Sequence, residues 1–214
     1  MRGKFITFEG IDGSGKSTQV EILAGELRSG GIDVLTTREP GGTPLGQRLR
    51  EAFLETEETV APLAELLLFA ADRAQHVEHL IRPALASGRT VISDRYADAT
   101  RAYQGAGRGF DRELTERLIT LATGGLEPDL TVFFDLSVEA ALARMRGREN
   151  VNEQPNRMDL EAAAFYEKVR AEYLAIAARE PERFKVIDAD ASIAEVAARV
   201  RAAVSDALPK ISGS

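Results

Sequence analysis

Apolar runs of strand length recur along the chain at Phe5–Phe8, Val34–Thr37, Thr90–Ser93, Leu130–Leu136 and Phe184–Ile187. Several are nearly continuous in apolar residues rather than alternating, the pattern of strands buried on both faces of a parallel sheet. Helix-like stretches separate them: Thr18–Ser29, Pro44–Thr56, Pro62–Ser87, Asp111–Thr123, Ser137–Arg146, Leu160–Arg179 and Ser192–Leu208. Local signals mark their ends. Gly30-Gly31 and Gly124-Gly125 are stops, Pro44 suits a first helical position, and Asp111 suits a cap. Pro83, inside the longest stretch, predicts a kink or break there. Regular alternation of strand and helix predicts an α/β domain over residues 1–208, followed by a frayed tail at 209–214.

One segment breaks this rhythm. Gly147 to Arg157 is polar, carries Asn150, Asn152, Pro155 and Asn156, and has arginines at both ends. A segment of this size between two helices of a compact domain is expected to act as a lid.

Composition narrows the class without choosing a function. The chain has 214 residues, 44% hydrophobic and 29% charged, which suits one well-filled core. Cysteine is absent, so neither a disulfide framework nor thiolate chemistry is available. No apolar run is long enough to span a bilayer and no secretory leader precedes the first strand, so a cytoplasmic enzyme without membrane partners is expected. The net charge of −7 argues against a nucleic-acid-binding surface. Anionic ligands must therefore meet local arginines. His76 and His79 read as residues of a solvated helix face rather than a zinc site, since no further ligands cluster with them.

The most specific chemistry lies between the first strand and first helix. Gly10-Ile11-Asp12-Gly13-Ser14-Gly15-Lys16-Ser17, continued by Thr18, fits a phosphate-binding loop in the strand–loop–helix context that such a loop needs. Glycines let the backbone wrap a phosphate, successive N–H groups point inward, and the helix N-terminus adds positive potential. Lys16 is expected to reach the β- and γ-phosphates of a nucleotide, and the Ser17 hydroxyl to hold Mg2+.

That loop alone does not separate kinases from other nucleotide-using proteins. No Asn-Lys-x-Asp guanine motif and no strand leading into Asp-x-x-Gly is present, which argues against a GTPase. The third strand runs instead into Asp94-Arg95-Tyr96, at the strand end where α/β sheets bind ligands. Asp94 suits a metal reached through water, and Arg95 a phosphoryl clamp; a strand-end salt bridge is the plainer alternative. Arg38-Glu39-Pro40-Gly41-Gly42-Thr43 follows the second strand, either as a ligand loop or as a surface turn. Phe69 and Arg73 lie four apart on one helix face and could stack on and hydrogen-bond a base. Taken alone, Phe69 reads as core and Asp72 and Arg73 as solvated charges. Arg144, Arg146, Arg148 and Arg157 either cover a transferring phosphate or are ordinary surface arginines.

Together these motifs resemble bacterial thymidylate kinases over nearly the whole chain, from Phe5 to about Leu208. The resemblance rests on Glu9–Thr18, Arg38–Thr43, Leu68-Phe69-Ala70-Ala71-Asp72-Arg73, Asp94-Arg95-Tyr96 and Thr100-Arg101-Ala102-Tyr103-Gln104-Gly105. It implies a three-layer P-loop kinase fold with a five-stranded parallel sheet flanked by helices, and a short arginine-containing lid from Arg144 to about Asp159. It implies ATP- and Mg2+-dependent phosphorylation of dTMP to dTDP, and a homodimer. By the same resemblance Phe69 stacks on thymine, Arg73 reads its O4, and Thr100 and Gln104 contact the base. Tyr103 lies under the deoxyribose, Asp12 meets the 3′-hydroxyl and helps organise Mg2+, and Arg38 and Arg95 hold the acceptor phosphate. Glu9 matches an acidic residue near the metal.

The phosphate loop has no arginine at Gly13 or Ser14, so the resemblance assigns the catalytic arginine to the lid: Arg144, Arg146 or Arg148. At the end of that lid the chain reads Asn156-Arg157-Met158-Asp159, where many relatives read Asp-Arg-x-Glu. Two rivals remain: another nucleoside or nucleoside-monophosphate kinase on the same fold, such as a deoxynucleoside kinase whose acceptor is a hydroxyl, and a nucleotide-dependent switch or assembly ATPase with no small-molecule acceptor.

Overall fold

The computed structural model describes residues 2–148 and 163–207, without the side chains of Arg148 and Ala207. The strands are β1 (Phe5–Glu9), β2 (Val34–Arg38), β3 (Thr90–Asp94), β4 (Leu130–Asp135) and β5 (Phe184–Asp188). They form one sheet in the order β2-β3-β1-β4-β5, every pairing parallel. The register sets Ile6 against Ile92 on one side and Leu130 on the other. Each strand ends on a charged residue: Glu9, Arg38, Asp94, Asp135 and Asp188. The apolar strands thus deliver their ionisable groups to one edge of the sheet, the carboxyl edge.

The continuous apolar runs are explained by burial on both faces. Ile6 and Phe8 point toward α1 (Lys16–Ser29), whose Val20 and Leu23 share their core, and Phe8 also meets Phe134 at 5.0 Å. The alternate residues turn the other way. There Phe5 meets Tyr96 edge-on at 4.8 Å, and Phe133 stacks on Tyr173 of α8 (Ala163–Arg179) at 4.9 Å. Helix α9 (Ile193–Ala207) packs beside α1 and against β4 and β5, completing a three-layer arrangement.

Local signals hold at most helix ends. The Thr43 hydroxyl accepts from Gly46 N at 3.0 Å and caps α2 (Pro44–Leu54), with Pro44 at its first position. Asp111 Oδ1 accepts from Leu114 N at 3.0 Å and caps α6 (Arg112–Thr123), which ends at Gly124 with φ 55°. Ser137 accepts from Ala140 N at the start of α7 (Val138–Arg148).

Two sequence expectations are revised. The stretch Pro62–Ser87 neither breaks nor ends at Pro83. Helix α3 (Pro62–His76) passes through a π-helical turn, Val77–Ile81, into α4 (Arg82–Ala86). Pro83 falls in the first turn of α4, directly after the π-helical turn, in which Arg82 N donates to the Val77 carbonyl five residues back. The second revision is an addition. Beyond Tyr96, a short helix α5 (Ala97–Thr100) continues into a π-helical segment, Arg101–Gly107, which the strand-and-helix rhythm does not announce. Of the lid segment, Arg144 to Arg148 belong to α7 and residues 149–159 lie outside the described residues, as does the tail beyond 207.

Candidate active site

The phosphate loop occupies the turn from β1 to α1, at the carboxyl edge. Gly13 adopts φ 84°, and a Cβ there would stand 2.6 Å from the Ala141 carbonyl oxygen of α7. Both observations require glycine. They also give a physical reason why this loop carries no arginine at that position: α7 lies directly on it. Lys16 is buried, and its Nζ donates to the Ile11 carbonyl at 3.1 Å, so the ammonium is held inside the loop. Burial pushes its pKa down, Arg95 adds to that, and Asp94, Asp12 and Glu9 oppose it. The Ser17 hydroxyl donates to Asp94 Oδ2 at 2.5 Å.

Arg95 is the pivot of the site. Among the described residues it alone has positive φ, 73°, without being glycine. Such strain persists only where the surroundings hold it, and it concentrates at functional sites. Here Arg95 N donates to the Phe8 carbonyl, Ser93 Oγ donates to the Arg95 carbonyl, and Tyr96 N donates to Glu9 Oε1 at 2.7 Å. The side chain is thereby aimed across the sheet edge. Its Nη2 donates to Asp12 Oδ1 and to the Tyr103 hydroxyl, and its guanidinium lies 4.8 Å from the Tyr103 ring centre. Burial alone would raise the Asp12 pKa, but Arg95 and Lys16 outweigh it and hold the carboxylate below its ordinary range.

Glu9 differs from Asp12. Its oxygens accept from Tyr96 N and from the Tyr173 hydroxyl, both at 2.7 Å, and it is fully buried. Desolvation, with Asp98 nearby, raises its pKa from 4.5 to about 8. In this geometry Glu9 holds the backbone after Arg95.

A second group lies around Arg73. Its Nε donates to Glu39 Oε2 at 2.8 Å, Nη1 to Thr100 Oγ1 at 2.7 Å, and Nη2 to the Tyr96 carbonyl at 2.8 Å. Arg73 and Asp72 are buried, against the plain sequence reading of both as solvated. His76, expected on a solvated face, is fully buried and bonded to Glu39 and Thr37, whereas His79 is exposed. Pairing explains the reversal for Arg73 and His76, whose side-chain nitrogens all find partners; Asp72 is paired at one oxygen only. Gln104 Nε2 donates to Glu65 Oε1 at 3.2 Å, and half-buried Phe69 meets Phe53 edge-on at 4.9 Å. The structure therefore brings Arg73, Thr100, Tyr103 and Arg95 into one connected set with Asp12 of the loop.

Arg38 is exposed beside a cleft of about 370 Å3 lined also by Ser17, Asp94, Gly41 and Gly42. Sequence reasoning missed Arg50, on the same side. It donates to the Pro40 carbonyl, and burial together with the charges of Arg38 and Arg95 pushes its pKa down. Arg50 thus sits where the positive charges of Arg38 and Arg95 both reach it, a placement that suits an anion. The available signal was position: Arg50 shares a face of α2 with buried Gly46 and Phe53.

The lid arginines separate. Arg144 donates to the Ala189 carbonyl at 3.2 Å and stands 3.6 Å from Asp190, while Arg146 is exposed. The side chain of Arg148 and all of Arg157 lie outside the described residues.

Comparison with known proteins agrees with this geometry. The family model described as thymidylate kinase matches residues 8–200. The chain is 49% identical over 207 residues to a thymidylate kinase of Trichlorobacter lovleyi, covering 95% of this chain and 96% of that one. It is 52% identical over 204 residues to one from Desulfosudis oleivorans, covering 94% and 95%. A crystal structure of thymidylate kinase from Ehrlichia chaffeensis superposes with a TM-score of 0.78 at 35% identity, covering 96% of this chain and all of that one. With a phosphate loop joined through Arg95 to a buried polar set on a parallel five-stranded sheet, and relatives of this similarity along nearly its whole length, the chain belongs to the thymidylate kinase family.

Proposed function

We propose that this chain transfers the γ-phosphoryl group of ATP to the 5′-phosphate of dTMP, giving dTDP. The observation that carries this reading is the bonded path from Asp12 in the phosphate loop through Arg95 and Tyr103 to the segment bearing Thr100 and Gln104, with Arg73 bonded to Thr100. Donor and acceptor regions are thus coupled by one strained arginine.

The acceptor oxygen of dTMP is already anionic, so no general base is required. Catalysis reduces to positioning and charge neutralisation. In this reading Lys16 holds the donor phosphates, and Arg95, Arg38 and Arg50 hold the acceptor phosphate. Arg73, Thr100 and Gln104 address the base, Phe69 stacks on it, and Tyr103 and Asp12 meet the sugar. A lid arginine among Arg144, Arg146 and Arg148 completes the charge balance. Closure of the lid excludes water and so suppresses hydrolysis of ATP.

Ser17 and Asp94 fit Mg2+. They set two oxygens side by side at the phosphate loop, and Mg2+ takes few protein ligands when nucleotide phosphates and water supply the others. The bound ion would supply charge neutralisation at the phosphate oxygens. Both oxygens of Glu9 accept hydrogen bonds from the protein, which favours a role for it in holding the Arg95 backbone.

We further read the protein as a cytoplasmic homodimer, with the exposed Leu63 and Leu67 of α3 at the interface. No described helix is long and apolar enough to cross a membrane.

The test is coupled ADP release with dTMP, dUMP, thymidine, UMP, dGMP and no acceptor. Efficient turnover with dTMP, weaker turnover with dUMP and background rates elsewhere are expected. Comparable turnover with thymidine, or without acceptor, overturns the reading.

A further inference from the structure

His76 touches neither the phosphate loop nor the Arg95 cluster, yet it is fully buried and bonded at both ring nitrogens. Nε2 lies 2.7 Å from Thr37 Oγ1, and Nδ1 lies 2.8 Å from Glu39 Oε1. Thr37 and Glu39 are the two neighbours of Arg38. One imidazole from α3 thus grips the chain on both sides of the arginine assigned to the acceptor phosphate. The other oxygen of Glu39 accepts from Arg73 Nε at 2.8 Å, so the same carboxylate orients the arginine assigned to the base.

The charges support this linkage. Burial alone would push the Glu39 pKa up, but Arg73 and His76 outweigh it and keep the group ionised. An ionised carboxylate only accepts hydrogen bonds, so Nδ1 of His76 must donate to it. The surroundings fit tightly as well. A Cβ on Gly42 would stand 2.4 Å from His76 Nε2 and 2.7 Å from Thr37 Oγ1, so the loop after Pro40 closes directly over the imidazole. Arg73 is left with one further N–H on each terminal nitrogen, and its direction is fixed by the Glu39, Thr100 and Tyr96 contacts.

We propose that His76 is a positioning residue for the acceptor nucleotide. Through Glu39 it fixes the Arg73 guanidinium that addresses the 4-position of the pyrimidine, and through Thr37 and Glu39 together it fixes the backbone at Arg38. This inference rests on the assignment of Arg73 to the acceptor base.

The experiment measures kcat and KM for dTMP, dUMP and dCMP, and KM for ATP, in His76→Leu, His76→Asn, His76→Gln and Arg73→Ala. The nucleotide dCMP carries a 4-amino group where dTMP carries a carbonyl, and dUMP keeps the carbonyl. In an asparagine the amide nitrogen takes the place of Nδ1, and in a glutamine that of Nε2. Losing a hydrogen bond to a charged group costs roughly tenfold or more in affinity. His76→Leu should therefore raise KM for dTMP about tenfold and lower the preference for dTMP over dCMP about as much. KM for ATP and the preference for dTMP over dUMP should stay near wild type.

His76→Asn, which keeps the donor to Glu39, should restore the preference over dCMP, and His76→Gln should not. If the leucine variant fails to fold, the asparagine–glutamine contrast decides. Equal behaviour of those two variants, or a uniform loss with every acceptor, overturns the proposal. If Arg73→Ala lowers the preference over dCMP while the His76 variants leave it intact, this inference fails alone. If Arg73→Ala leaves that preference intact, the base assignment fails and the inference with it.

Discussion

Ser17 Oγ donates to Asp94 Oδ2 at 2.5 Å, tying the first turn of α1 to the last residue of β3. The residues are 77 positions apart and meet only because β1 and β3 pair with Phe8 opposite Asp94. In the proposed reading these two oxygens hold Mg2+ beside the nucleotide phosphates. Asp94→Asn keeps the shape and removes the charge. Its half-saturating Mg2+ concentration should rise about tenfold or more, with ADP release at saturating Mg2+ largely recovered. A Mg2+ titration that superimposes on wild type would refute the assignment.

Lys16 is enclosed by the loop and bonded to the Ile11 carbonyl. In the proposed reaction its charge serves the transferring phosphate rather than the core. Lys16→Ala should lower kcat by roughly a hundredfold to a thousandfold, the scale for removing one preorganised electrostatic contact. Circular dichroism should show the fold retained. Turnover near wild type would remove Lys16 from the mechanism.

Gly13 touches the Ala141 carbonyl so closely that any side chain must displace α7. Gly13→Ala also forces a residue with a Cβ into φ 84°. The expected outcome is a raised KM for ATP and a lowered melting temperature. Unchanged ATP kinetics would mean that α7 does not constrain the loop in solution.

Asp72 gives a pH dependence with a definite sign. It is buried, its Oδ1 accepts from Gly41 N at 3.1 Å, and its Oδ2 has no hydrogen-bond partner. Desolvation, with Glu39 nearby, raises its pKa from 3.8 to about 6. Between those values the folded chain holds a proton that the unfolded chain has released. Its contribution to stability is full below 3.8 and lost as pH rises through about 6. Asp72→Asn, which stays neutral, should melt above wild type near about pH 8, the gap closing toward about pH 4. A gap independent of pH would show that the group does not titrate in this range.

Much of the fold was legible because each strand is short, apolar and followed by a turn signal. Burial on both faces writes itself into sequence as Phe5-Ile6-Thr7-Phe8 and Leu130-Thr131-Val132-Phe133-Phe134. The helix over residues 97–107 was not legible. Its residues carry no capping signal, and its order comes from contacts with α8 and from the Arg101 bonds to Asp98 and Glu116.

The sequence by itself determined the phosphate loop, the parallel α/β class and the charged residues at the strand ends. These depend on neighbours in the chain: a strand, a run of glycines, then a helix start. Only the tertiary structure decided which charges are buried and with whom. His76 reads as solvated until Thr37 and Glu39 come from β2 and the loop after it to pair with it. Arg50 belongs to no motif, and only the fold brings it within reach of the charges of Arg38 and Arg95. The partners of His76 lie 39 and 37 positions away in the chain. Only the fold brings them to it, and only those hydrogen bonds make its burial favourable.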